Sequence, residues 1–103
     1  VIGHYLDGRV SMVVGDHWHV ATADARLLPK GTAHMSDVGM CGSLDSSLGV
    51  TFESIVPRWR DGIQTRNIIA HGGSWQFNAL LATVDDGSGR ATAVRHIRIT
   101  SNS

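Results

Sequence analysis

Cysteine is nearly absent from this chain. Cys41 stands alone among 103 residues, so no intrachain disulfide can form and a reducing compartment is the default expectation. Long apolar runs are missing as well: nothing approaches the roughly 18 residues that a membrane-crossing helix needs. Nor is there an excess of charge. Nine basic residues balance nine acidic ones, which removes the electrostatic case for a polynucleotide or an anionic membrane as partner. The opening VIGHYLDGR has neither the basic nor the apolar region of a signal peptide, so a cytoplasmic protein is expected. Internal repeats and low-complexity tracts are not found.

What is present has the balance of a globular protein, with 42% hydrophobic and 17% charged residues, and argues against disorder. A chain of this length suffices for one domain with a modest core, and a single domain over residues 1–103 is expected. Six histidines are the one compositional hint of metal binding or acid–base work.

Local patterns divide the chain into three parts. RVSMVV, residues 9–14, reads as a buried strand ending at Gly15 and delivering residues 16–19 onto a loop at its carboxyl end, where sites on such sheets usually lie. A Pro-Lys-Gly turn then separates two short apolar runs, predicting a hairpin with arms at 26–28 and 32–35. CGSLDSSLGV reads as an irregular loop. TFESIVPRWRDG predicts the one principal helix, capped by Thr51, stopped by Gly62 and kinked or split near Pro57. Its Phe52, Ile55, Val56 and Trp59 share one face and are expected to be core. Strands return at RNIIAH, SWQFNALLATVDD and RATAVRHIRIT, the last two joined by a hairpin at DDGSGR. The fold class is therefore α+β, mainly sheet with one principal helix.

The chemically suggestive stretch is VVGDHWHVATAD, residues 13–24. In an extended chain alternate side chains share a face, so His17 and His19 would project together while Asp16 and Trp18 face the other way. Two imidazoles so placed can contribute to a metal site if other segments supply the remaining ligands. A pair of exposed or hydrogen-bonded histidines at a strand end is the alternative, and the spacing alone does not separate the two.

The order of motifs narrows the choice. YLDGRVSMVVGDHWHVATADARLLPKGTAHMSDVGM, continued by the aspartate and glycine of SLDSSLGV, resembles the carboxyl-terminal part of a bacterial calcineurin-like metallophosphoesterase family, in the branch that hydrolyses cyclic nucleotides and related phosphodiesters. The likeness runs from about Gly3 to about Thr100. It implies a four-layer α/β/β/α sandwich, of which this chain resembles the second half, and a two-metal site of iron, manganese or a related divalent ion such as zinc. It also implies that His17 and His19 are metal ligands. The family's other ligands lie on segments preceding the region that matches Val1, so the resemblance implies an incomplete site and an isolated chain that does not hydrolyse phosphodiesters.

Departures from the family's motif carry their own expectations. Asp16 and Trp18 replace two threonines. Asp16 could act as a further ligand or orient an imidazole, with a turn or capping role preferred; Trp18 could stack on a nucleobase, with packing on the opposite face preferred. Asp37, in SDVGM, is expected to fix a loop beside the site through backbone amides. His34 replaces an aromatic residue and is expected to be a packed or surface side chain, Cys41 is expected to be a buried inert thiol, and His4, His71 and His96 receive no role. Three functional expectations remain: a metallophosphoesterase portion needing a second chain or segment; a non-catalytic module whose apolar sheet face mediates self-association, most simply as a dimer, or binds a partner; and copies that bring two His-x-His motifs together across a symmetry axis.

Overall fold

The computed structural model describes residues 1–101 and is α+β, mainly sheet with two helices. In chain order these are α1 (Ile2–Leu6), β1 (Met12–Val14), β2 (Arg26–Leu27), β3 (Ala33–Met35), β4 (Gly42–Ser43), α2 (Phe52–Asp61), β5 (Trp75–Val84) and β6 (Ala91–Ser101). They form two three-stranded sheets, ordered β1-β3-β2 and β4-β5-β6. The chain separates into two compact units, one of residues 1–39 with 78–98, the other of residues 40–77 with 99–101.

The first unit holds the expected hairpin. β2 pairs antiparallel with β3, and β3 pairs in parallel with β1 in the register Met12 to Ala33, Val13 to His34 and Val14 to Met35. The turn closes because Leu28 N–H bonds Thr32 O and Gly31 N–H bonds Leu28 O, with Gly31 at φ +91, a backbone region a side chain rarely adopts. Asp7, buried, accepts Lys30 N–H at 2.9 Å and Thr32 N–H at 3.3 Å. Thr32 Oγ1 accepts Gly8 N–H at 2.8 Å and donates to Val10 O at 2.7 Å. The segments LDGR and PKGT are thus stitched together by a buried carboxylate and hydroxyl, each satisfied by backbone groups. Leu28, Ala33, Met35 and Ala91 are the buried hydrophobic residues here. The β5–β6 connection is the expected hairpin, closed by Asp85 N–H to Arg90 O and Gly89 N–H to Asp85 O.

In the second unit α2 runs unbroken through Pro57 and ends at Gly62 in the left-handed conformation, φ 69, so the expected split does not occur. Thr51 occupies the N-cap position without a side-chain cap bond; Ser54, buried, instead donates from Oγ to Thr51 O and accepts Ile68 N–H. Arg58 reaches Thr65 O and Asn67 Oδ1, which fixes the chain after the helix in an irregular path. For that reason the strand expected at RNIIAH reduces to a single bridge, Val50 to Ile69. The loop at 41–50 contains β4, paired as Gly42 to Gln76 and Ser43 to Trp75.

Several burial expectations are overturned. Phe52 and Val56 are exposed and Trp59 is 83% exposed, so the α2 stripe is not core here: periodicity marks a face that gains from cover, and among the described residues that cover is incomplete. Met12 and Val14 of the supposedly buried first strand are also exposed, as is Cys41.

Candidate metal-binding loop

β1 and β3 run parallel and neighbouring, so the loops at their carboxyl ends, 15–24 and 36–39, emerge side by side. Gly15 N–H bonds Met35 O at 3.2 Å and Val38 N–H bonds Gly15 O at 2.8 Å, carrying the pairing past the last strand residues. A Cβ on Gly15 would collide with Ser36 O, so only glycine allows this approach.

Asp37 is the anchor. It is 1% exposed, and its Oδ2 accepts Trp18 N–H at 2.6 Å while Oδ1 accepts Gly39 N–H at 2.8 Å. The bond to Trp18 grips the peptide between the two histidines, leaving His17 and Trp18 exposed. His19 adopts φ 65, a left-handed conformation costing about 1 kcal/mol for a side-chain-bearing residue. The alternation argument therefore fails locally: residues 17–20 form bends and not a strand, and a left-handed residue breaks the two-residue repeat that would have set both imidazoles on one face. Trp18, 63% exposed, is not packed on an opposite face. Asp16 is exposed and has no hydrogen-bond partner among the described residues.

A second carboxylate holds the far side of the loop, and sequence reading gave it no role. Asp24 accepts Ser36 Oγ at 2.5 Å, Ser36 N–H at 3.0 Å and Thr22 Oγ1 at 2.6 Å. The bonds from Ser36 and Thr22 stabilise the ionised form and hold the Asp24 carboxyl well below the usual carboxylate range. Thr22 N–H also bonds Asp37 O, and Asp37 N–H bonds Thr22 Oγ1, both at 2.9 Å. The Thr-Ala-Asp triplet after the histidines was the available signal, since Thr and Asp two apart favour such local turns. Of the other histidines, His34 lies half-buried where a Cβ on Gly3 would meet its ring, and His4 Nε2 lies 3.2 Å from Arg26 Nη2.

What this arrangement can do chemically follows from its donors. Two imidazoles on an anchored, accessible loop suit a borderline divalent ion. Among the described residues no group of three or more His, Cys, Asp or Glu side chains is placed to hold one.

Comparison with known proteins places this loop in context. The profile of the family described as YmdB-like protein matches residues 1–97, and the chain belongs to that family. It is 41% identical over 101 residues to a 2',3'-cyclic-nucleotide 2'-phosphodiesterase of Bacillus subtilis, covering 98% of this chain and 38% of that protein. Among solved structures, a protein of Thermus thermophilus described as hypothetical superposes with a TM-score of 0.87 at 37% identity, over 96% of this chain and 38% of its own. A phosphatase of Mycoplasma pneumoniae superposes with a TM-score of 0.90 at 31% identity, over 97% of this chain and 36% of its own. The chain thus belongs to a phosphoesterase-like family and spans between a third and two-fifths of the length of these relatives. No helix is long and apolar enough to cross a membrane among the described residues.

Proposed function

We propose that residues 1–103 are the carboxyl-terminal portion of one calcineurin-like metallophosphoesterase domain, and that His17 and His19 are two of the ligands of its divalent metal site. The substrate class is a phosphodiester, a cyclic nucleotide foremost, by analogy with the Bacillus subtilis relative. The observation that carries this reading is the His-x-His loop gripped at Trp18 N–H by the buried Asp37. Such a grip pre-orients a short loop that otherwise carries an exposed histidine and an unfavourable backbone angle. Neutral imidazoles bind a borderline ion without adding negative charge that would repel a phosphate. Iron, manganese or zinc, once held, would polarise the phosphate and lower the pKa of a bound water. Asp16 and Asp37 stay adjacent to the site, Asp37 positioning the loop from beneath. The remaining ligands come from a segment or chain supplying the amino-terminal half.

The direct test is hydrolysis. The isolated chain with manganese or iron is expected to turn over neither a cyclic nucleotide nor a bis-aryl phosphate, whereas the same residues grafted in place of the matching 38% of the Bacillus subtilis relative should restore metal-dependent turnover that His17→Ala abolishes. Turnover by the isolated chain, or a folded and active graft indifferent to His17→Ala, contradicts the proposal.

A second reading, a self-associating module, is favoured by one observation. Phe52, Val56 and Trp59 on α2, with Trp75 and Phe77 on β5, are all exposed, and large apolar side chains that meet in one open patch favour association.

A further inference from the structure

The tip of the β5–β6 hairpin does not hang free. Ser11 Oγ donates to Gly89 O at 2.6 Å, and Ala91 N–H bonds Gly31 O at 2.8 Å. These two bonds clip the hairpin to the segment after α1 and to the β2–β3 turn. They leave a recess of about 480 Å³ between the three.

Arg9 and Arg90 are among the residues that line it, together with Ser11, Ser88, Gly31 and Gly89, and no acidic residue is among them. Each arginine has one packing contact that restricts it. The Arg90 stem lies against Gly31, its Cβ, Cγ and Cδ within 3.1–3.2 Å of the place a Gly31 Cβ would occupy. Arg9 sets its guanidinium 5.1 Å from the centre of the Tyr5 ring, within cation–π range. Neither guanidinium has a carboxylate partner among the described residues. Asp85, on the same hairpin, is occupied instead by Ser88, whose N–H and Oγ donate to it at 2.8 and 2.7 Å, and these bonds keep its carboxyl below the usual range.

The backbone donors nearby are also committed. Gly8 N–H goes to Thr32 Oγ1, Gly89 N–H to Asp85 O and Arg90 N–H to Ser88 Oγ. Among the side chains of the lining residues, the Ser11 and Ser88 hydroxyls are already donating, and the two guanidinium forks keep donors with no acceptor among the described residues. Two positioned guanidinium groups without a counter-charge, over a recess large enough for a small molecule, suit a tetrahedral dianion, because a planar fork matches two oxygens of a phosphate and the charge-assisted bonds are strong.

We propose that this recess binds a small oxyanion of the phosphate class, either inorganic phosphate or the phosphate of a small phosphomonoester. None of its residues is shared with the loop of His17 and His19, so the inference does not depend on the metal reading.

The test is a titration of the ¹⁵N-labelled chain with inorganic phosphate at low, constant ionic strength, followed by amide shifts, and repeated with phenyl phosphate. Saturable shifts are expected at Gly8, Arg9, Gly31 and 88–90, with affinity in the millimolar range. Arg9→Gln and Arg90→Gln should each weaken binding about tenfold, the loss of one charge-assisted interaction. Arg90→Lys should weaken it less, and Arg60→Gln, which removes the same charge from an exposed pair with Asp61, should leave it unchanged. Tighter binding of phenyl phosphate assigns the site to an organic phosphate, equal or weaker binding to the free ion. Shifts that do not saturate or fall outside these residues overturn the proposal in the wild type alone, whatever the variants do. Equal weakening by Arg60→Gln overturns it as well.

Discussion

Replacing Asp37 by asparagine keeps the shape of the side chain and removes one of its two acceptors. In the native loop the carboxylate, 1% exposed, takes Trp18 N–H at 2.6 Å on one oxygen and Gly39 N–H at 2.8 Å on the other. In the variant one of those amides faces an NH₂ group, so a charge-assisted bond is lost and a part-buried donor is left facing a donor. Together these cost about 2–4 kcal/mol. With a urea dependence of about 2 kcal/mol per M, the middle of the range for a small domain, the unfolding midpoint should fall by roughly 1–2 M. Either orientation of the amide loosens the anchor of the loop that carries the left-handed His19, so zinc binding should weaken together with stability. Urea unfolding of wild type and Asp37→Asn, paired with a zinc titration of each, is the assay. A midpoint within about 0.3 M of wild type, at an unchanged slope, would show that Asp37 does not hold the loop.

Two further outcomes are expected. Because hydrogen bonds from Ser36 and Thr22 depress the Asp24 carboxyl in the folded chain, the stabilisation they give is complete above the unfolded value near pH ~4 and is lost as pH falls below it; the urea midpoint should therefore drop more between pH 6 and pH 3 in wild type than in Asp24→Asn, and equal drops would contradict this. The open apolar residues of α2 and β5 should drive self-association, since each Å² removed from water is worth about 25 cal/mol; sedimentation equilibrium at micromolar concentration should show a mass above that of one chain, with a reduction on Trp59→Ser, and a wild-type monomer would remove the self-association reading.

Much of the fold was legible because its signals are local. The Pro-Lys-Gly and DDGSGR turns, the helix stop at Gly62 and the glycine after MVV each act within a few residues, and the hairpins and α2 lie where those signals put them. The candidate loop was legible in part. Its place after β1 followed from the pattern, but its conformation did not, because the bond that shapes it joins Trp18 to Asp37 across 19 positions. A two-residue repeat cannot foresee a left-handed His19, so strand alternation is no guide to where the two imidazoles lie. The α2 stripe misled for a different reason. Amphipathic spacing reports that Phe52, Val56 and Trp59 gain by being covered, but not whether the cover lies within these residues. The burial expected of Cys41 rests on residue type and that of Trp18 on strand alternation, and both are weak guides on an irregular loop.

The central claim is that His17 and His19 hold a divalent ion, and calorimetric titration of zinc into the isolated chain tests it most directly. Wild type should bind measurably but weakly, as expected of a site with two protein ligands open to water, and the His17→Ala, His19→Ala double variant should lose that heat while keeping its circular dichroism. Equal binding by the folded double variant would contradict the claim and remove both residues from the site.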